Sequence, residues 1–310
     1  MPRDVPREAA VRVAFDWQPI HLAACAAFAA LFLLLAVSPA ATAADPDAVA
    51  RGAYLAAAAG CDQCHTDAKH DGKPFAGGRV FDTEWGTVVS TNITADQATG
   101  IGGWSAADFT RAMRWGIAPD DSHYVPAFPF LFYNRLNERD LADIKAFLDS
   151  LPAVSRPDLT GAGSTALVAR ARAALAVALT PLPGPWRPDL KQDPAWDRGA
   201  YLVATIGRCG YCHTPRTALG APDAGRLLAG TPAGPDGKKV PNITPDRKTG
   251  IGNWSGDDIV GLLTDGHTPD FDFVGGPMAE IVKNTSRLSE ADRRAIALFL
   301  QSVPAVPSQK

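Results

Sequence analysis

The chain has 310 residues, a hydrophobic fraction of 46% and a charged fraction of 20%, a globular composition long enough for two domains of ordinary size rather than one. A formal charge of only −3 leaves no basic footprint and excludes nucleic acid as a partner. Four of the five cysteines fall in two matched motifs, so the expected exported chain has none left for a disulfide or a separate metal site.

Residues 1–44 read as a secretory signal. Arg3, Arg7 and Arg12 make a basic start, Ile20 to Val37 is apolar, and Ala41-Thr42-Ala43 is the small-residue pattern that signal peptidase accepts. Two rival readings stand beside it. Leu22-Ala23-Ala24-Cys25 resembles a lipoprotein cleavage box, although the apolar run lies mostly after that cysteine. An apolar run of about 18 residues is also just long enough to be kept as a membrane anchor.

An alanine-rich helix is expected from about Asp47 to Ala59, running into Cys61-Asp62-Gln63-Cys64-His65. Cys-x-x-Cys-His attaches a c-type haem through two thioethers, and the closing histidine, held beneath the haem plane, is the expected proximal iron ligand. A last helix carries Leu141, Ile144, Phe147 and Leu148 at helical spacing, with Asn137 as its cap and Pro152 beyond its end. The segment between is rich in Gly, Pro, Asn and Asp and reads as loop around the haem, with no strand-rich sheet.

Residues 156–194 separate this half from the next. Ser164 to Thr180 reads as a helix, stopped by Pro181-Leu182-Pro183-Gly184-Pro185, and it is too short and too charged, with Arg170 and Arg172, to span a membrane. The pattern then returns. Arg51-Gly52-Ala53-Tyr54-Leu55 reappears as Arg198-Gly199-Ala200-Tyr201-Leu202, in a helix expected from about Trp196 to Ile206, ahead of Cys209-Gly210-Tyr211-Cys212-His213. Asn92-Ile93-Thr94, Gly100-Ile101-Gly102 and Trp104-Ser105 reappear 150 residues later from Asn242 to Ser255. The last helix carries Ile296, Phe299 and Leu300, with Ser289 as cap and Pro304 beyond. Two covalent haems c are expected, attached at Cys61 and Cys64 and at Cys209 and Cys212, with His65 and His213 on the irons.

The far side of each iron is where the halves differ. Gly275-Gly276-Pro277-Met278 offers a thioether in a tight loop, and Met278 is the expected distal ligand of haem two. The same offset puts Phe128 in the first half, and phenylalanine has no donor atom. Haem one is then bound by His123, five residues earlier in the same loop, or by Met113, or is left open. An open haem one would favour an enzyme or gas-binding protein, with Asp120, Asp121, His123 and Arg114 near the reactive face.

The Arg-Gly-x-Tyr-Leu lead, the haem motifs, the Asn-Ile-Thr to Trp-Ser segments and the distal loop together resemble the dihaem class I c-type cytochromes of bacterial periplasms. They also resemble the cytochrome c subunits of membrane-bound alcohol and sugar dehydrogenases. The resemblance runs from about Asp47 to Pro304 and implies an all-α fold of two tandem class I cytochrome c domains, residues 45–155 and 195–310, joined by a helical, Pro-rich linker. It implies that the first and last helices of each domain cross near Gly52 and Gly199, and that Trp104, Trp254, Asn92 and Asn242 pack or hydrogen-bond the haem edge. Phe128 departs from the family's methionine. The expected role is periplasmic transfer of single electrons between a donor dehydrogenase and a terminal oxidase or other cytochrome, with membrane association left open.

Overall fold

The computed structural model describes residues 45–157 except 84, 85 and 126, residues 182–309 except 218–221, 235 and 236, and between them residues 167, 168, 171, 174, 175 and 178. The expected signal and its cleavage boxes lie outside these, as does most of the linker helix; the six linker residues that are described are helical. Among the described residues no helix is long and apolar enough to cross a membrane.

Helices dominate. The first half runs through α1 (Pro46–Ala59), α2 (Cys61–Cys64), α3 (Ala106–Trp115), α4 (Phe130–Tyr133) and α5 (Glu138–Asp149). The second runs through α6 (Pro194–Ala204), α7 (Cys209–His213), α8 (Gly256–Asp265), α9 (Pro277–Thr285) and α10 (Glu290–Ser302). Local chemistry explains the starts. Asp45 and Asp193 cap α1 and α6 ahead of a proline at the first helical position, where its missing N–H costs nothing. Ser105 with Asp108 and Ser255 with Asp258 form capping boxes on α3 and α8. Gly116 and Gly266 end those two helices in the left-handed conformation.

The segment expected as loop between motif and last helix carries α3 and α4 in the first half and α8 and α9 in the second, and the all-α expectation also needs a correction. Val80–Thr83 pairs antiparallel with Gly86–Val89 in a two-stranded hairpin, register Val80 to Val89. Its β-branched residues suit a strand, but four residues per strand give too short an alternation to stand out from loop. Among the described residues, the corresponding stretch of the second half makes a single bridge, Thr231 to Val240.

The helix pairs α1/α5 and α6/α10 cross at the two repeated glycines. A Cβ on Gly52 would lie 1.9 Å from the Asp143 carbonyl oxygen, and one on Gly199 would lie 1.9 Å from that of Ala295. Leu55, Leu141, Ile144 and Leu148 are buried at the first crossing, and Leu202, Ile296 and Leu300 at the second. The described residues belong to one compact unit, and one cluster of buried side chains runs through both halves.

The repeated tyrosine explains how the halves are joined. Tyr54 Oη donates to Asp292 Oδ2 at 2.7 Å and accepts the Ser289 N–H at 3.0 Å, capping α10 from across the boundary. Tyr201 Oη donates to Asp140 Oδ2 at 2.5 Å and accepts the Asn137 N–H at 3.3 Å, doing the same for α5. Each half thus supplies a hydroxyl to the other half's last helix. Removing the Tyr201 hydroxyl leaves Asp140 Oδ2 and the Asn137 N–H without it, whereas Asp292 Oδ2 keeps Arg198 Nη2 at 2.7 Å when Tyr54 loses its own, so Tyr201→Phe is expected to cost about 1–3 kcal/mol in denaturant unfolding and Tyr54→Phe about 1 kcal/mol.

Asp292 also sets an acid dependence. Burial alone would raise its pKa above the ordinary 3.8, but hydrogen bonds from Arg198 and Tyr54 outweigh burial and hold it lower. Stability drawn from this carboxylate is therefore complete above the ordinary value and lost as pH falls through the depressed one. Asp292→Asn should be clearly less stable than the parent near neutrality, with the gap closing as pH falls through the depressed value. An equal gap above and below that value would refute this assignment.

Candidate functional site

Each Cys-x-x-Cys-His motif is a short helix entered through a left-handed residue, Gly60 (φ 68°) before α2 and Arg208 (φ 50°) before α7. None of the four motif cysteines is in a disulfide. Burial pushes the Cys61 and Cys209 thiols up to about 12. Among the described residues no group of three or more His, Cys, Asp or Glu could hold a bare metal ion. Two thiols on one short helix that ends in an imidazole is instead the donor set of a covalently attached iron porphyrin.

The histidines fit that set closely. His65 Nδ1 lies 2.7 Å from the Thr91 carbonyl oxygen and His213 Nδ1 lies 2.8 Å from that of Pro241, residues 150 positions apart. A carbonyl can only accept, so Nδ1 carries the proton and the Nε2 lone pair is left for a metal. Burial outweighs the bond to the carbonyl and lowers the pKa of both rings, holding them neutral as a ligand must be. The loops behind them match as well. Gly77 N–H donates to the His65 carbonyl at 2.7 Å and Gly230 N–H to the His213 carbonyl at 2.8 Å, while Thr66 and Thr214 each accept a backbone N–H at 3.1 Å.

Both motifs lie where the halves meet. Gln63 donates to the Glu280 carbonyl at 3.2 Å and accepts from Asn284 Nδ2 at 3.1 Å, both on α9, and Asp62 pairs with Arg287 at 2.9 Å. Tyr211 of the second motif packs edge-on against Phe132 of α4, ring centroids 6.0 Å apart. Each attachment helix therefore rests against a helix of the other half at the expected distal position, α9, which contains Met278, or α4, which follows Phe128.

The distal candidates fall as follows. Met278 is half-buried in the first turn of α9, not in a loop, because Pro277 supplies a fixed φ at the first helical position. Phe128 sits between Tyr124 and Tyr133, with centroids 5.6 and 5.8 Å away. Met113 is buried in the core on α3. His70 is bound to Asp67 at 3.0 Å with its side chain 77% exposed. His267 is bound to Asp265 at 2.8 Å and stacked 4.0 Å from Phe273. His123 differs from both, since its Nδ1 is sealed from solvent without any hydrogen-bond partner.

Two sequence expectations change. Arg114 does not serve an open face: it is buried, donating to the Asn134 and Leu136 carbonyls at 2.6 and 2.8 Å and to Glu138 at 2.8 Å. Asp121 is paired with Arg111. Asn92 and Asn242 act as loop staples. Each accepts from Thr94 or Thr244 and donates to Thr99 or Thr249 and to the Val154 or Val306 carbonyl at 2.7 Å, leaving no bond for a haem edge. Trp104 and Trp254 pack against the core. The acceptor carbonyls of Thr91 and Pro241 were invisible to residue-type reasoning, and only the fixed offset could have paired them.

No protein-family model matches the chain. It is 42% identical over 261 residues to a Cereibacter sphaeroides protein named diheme cytochrome c-type, covering 83% of this chain and 86% of that one. It is 36% identical over 260 residues to the fructose dehydrogenase cytochrome subunit of Gluconobacter japonicus, covering 83% of this chain and 53% of that one. It is 37% identical over 293 residues to the alcohol dehydrogenase (quinone) cytochrome c subunit of Gluconacetobacter polyoxogenes, covering 90% and 61%. The chain thus spans little more than half the length of those two subunits.

Proposed function

Since the chain belongs to the dihaem cytochrome c family and is an electron-transfer cytochrome with covalently bound haem c, we propose that it passes single electrons in the periplasm from a dehydrogenase to a respiratory acceptor. Its two haems have unlike iron ligands in this reading. The names of the relatives support a dehydrogenase as the donor, and the basic, apolar and small-residue pattern of residues 1–44 supports export. A terminal oxidase or another cytochrome is the acceptor.

Cys61 and Cys64 hold haem one with His65 beneath it, and Cys209 and Cys212 hold haem two with His213 beneath it. When bound, the haems supply a reversible one-electron couple, ferric to ferrous. The Thr91 and Pro241 carbonyls fix the rings that face the irons, so neither ligand turns when an electron arrives. Met278 completes the second site and His123 the first.

One exchange of residues carries the assignment of His123. The half that lacks the methionine has an imidazole in the same loop, where the other half has Phe273: the bridges Ile117 to His123 and His267 to Phe273 are the same bridge 150 residues apart. Phe128 and Met278 exchange in the opposite sense. A histidine pair lies lower in potential than a histidine–methionine pair, which makes transfer directional from the first half to the second. A spectroelectrochemical titration should resolve two one-electron midpoints of equal amplitude, the lower one accompanied by the histidine–histidine spectrum. A single midpoint for both haems would sink the directional reading.

A further inference from the structure

The contact between the two haem motifs contains an unpaired cation. Arg208 immediately precedes Cys209, and its positive φ of 50° is a conformation that disfavours a side chain. In the first half Gly60 holds the same place before Cys61, also left-handed, so the backbone requires the turn but not the arginine. The turn directs Arg208 across the boundary between the halves. Its Nη2 donates to the Ala59 carbonyl at 3.1 Å, at the end of α1 beside the first motif. Its guanidinium lies 5.9 Å from the Tyr133 ring, and its Nε is sealed from solvent without an acceptor.

No carboxylate among the described residues forms an ion pair with Arg208, whereas Arg51, Arg114, Arg198 and Arg287 all have one. It stands beside both motifs, since it immediately precedes Cys209 and reaches the Ala59 carbonyl two residues before Cys61. A guanidinium keeps its proton at any ordinary pH, so this charge is permanent.

We propose that Arg208 is a potential-setting residue shared by the two haems. This rests on the reading that each motif holds a haem. A ferric site carries one more positive charge than a ferrous one, so a fixed cation beside both motifs favours the reduced form of each, and more strongly in a site shielded from water. Arg208 therefore raises both midpoints together. A change of axial ligand moves one midpoint and leaves the other, so the signature of Arg208 is a common shift with the gap between the haems preserved.

The test is a redox titration of full-length holoprotein carrying Arg208→Gln or Arg208→Lys, with haem content and low-spin spectra recorded beside it. Arg208→Gln should make the ferric form of both haems about tenfold more favourable, a fall of about 59 mV in each one-electron midpoint, while Arg208→Lys stays near the parent. Unchanged midpoints in a glutamine variant with two low-spin haems overturn the proposal, and so does a shift of one haem alone. If glutamine and the apolar Arg208→Met both fail to accumulate while lysine accumulates, the charge acts in folding and the proposal is again overturned. Fewer than two haems in the parent protein would instead refute the reading on which it rests.

Discussion

His123→Ala is expected to turn one of the two haems high-spin in the oxidised protein and to let the reduced protein bind one carbon monoxide per chain, which the parent refuses. The loop that carries His123 is pinned on both sides, Ala118 N–H donating to the Ser122 carbonyl at 2.9 Å and Tyr124 N–H to the Gly116 carbonyl at 2.7 Å. Alanine removes a donor atom from this loop without removing those bonds, so the loop keeps its shape. The other described histidines outside the motifs do not stand by to replace it, since His70 and His267 are tied to carboxylates. The second haem keeps Met278 and stays low-spin. Met278→Ala should give the complementary result, high spin on the other haem and a large fall in the higher midpoint. Parent-like spectra and no carbon monoxide binding in His123→Ala would remove His123 from the iron.

Gly199→Ala is expected to be the most damaging single-methyl change in the second half. The added Cβ meets the Ala295 carbonyl oxygen at 1.9 Å and its carbon at 2.5 Å, and both are backbone atoms of α10 that cannot rotate away. α6 and α10 would have to separate along a crossing that buries Leu202, Ile296 and Leu300. Overpacking of this kind costs about 3 kcal/mol, the upper end of the usual range, because the relief must come from two helices at once. Thermal unfolding of the holoprotein should fall by roughly 6–12 °C, whereas Gly261→Ala, on the same half with open space at its Cβ, should barely move it. A shift of less than about 1 °C for Gly199→Ala would contradict the close crossing. Gly52→Ala, 1.9 Å from Asp143, should behave alike in the first half.

Local order was readable from residue types. The caps Asn137 and Ser289 and the apolar spacing of α5 and α10 are short-range rules, and those helices follow them to within about two residues. The motifs, too, announced their own chemistry. What escaped was non-local. Tyr54 was legible as part of a repeated pentapeptide, but nothing in its spacing says that its hydroxyl serves a helix 235 positions away in the other half. The same holds for Gln63 and Asp62, whose partners lie on or just beyond α9. The family resemblance put Asn92 and Asn242 at the haem edge; their hydrogen bonds go instead to the loop, which they tie to the tail after the last helix. The hairpin was missed because two four-residue strands carry less periodic signal than the glycines and prolines around them.

The central claim is that two haems with unlike ligands sit on one chain, and it is tested most directly by low-temperature electron paramagnetic resonance of the oxidised full-length protein with near-infrared magnetic circular dichroism. Two low-spin haems, one with the charge-transfer band of a histidine–histidine pair and one with that of a histidine–methionine pair, is the predicted result. A high-spin signal from about half of the iron would contradict it, leaving haem one open and moving the chain from electron carrier toward haem enzyme.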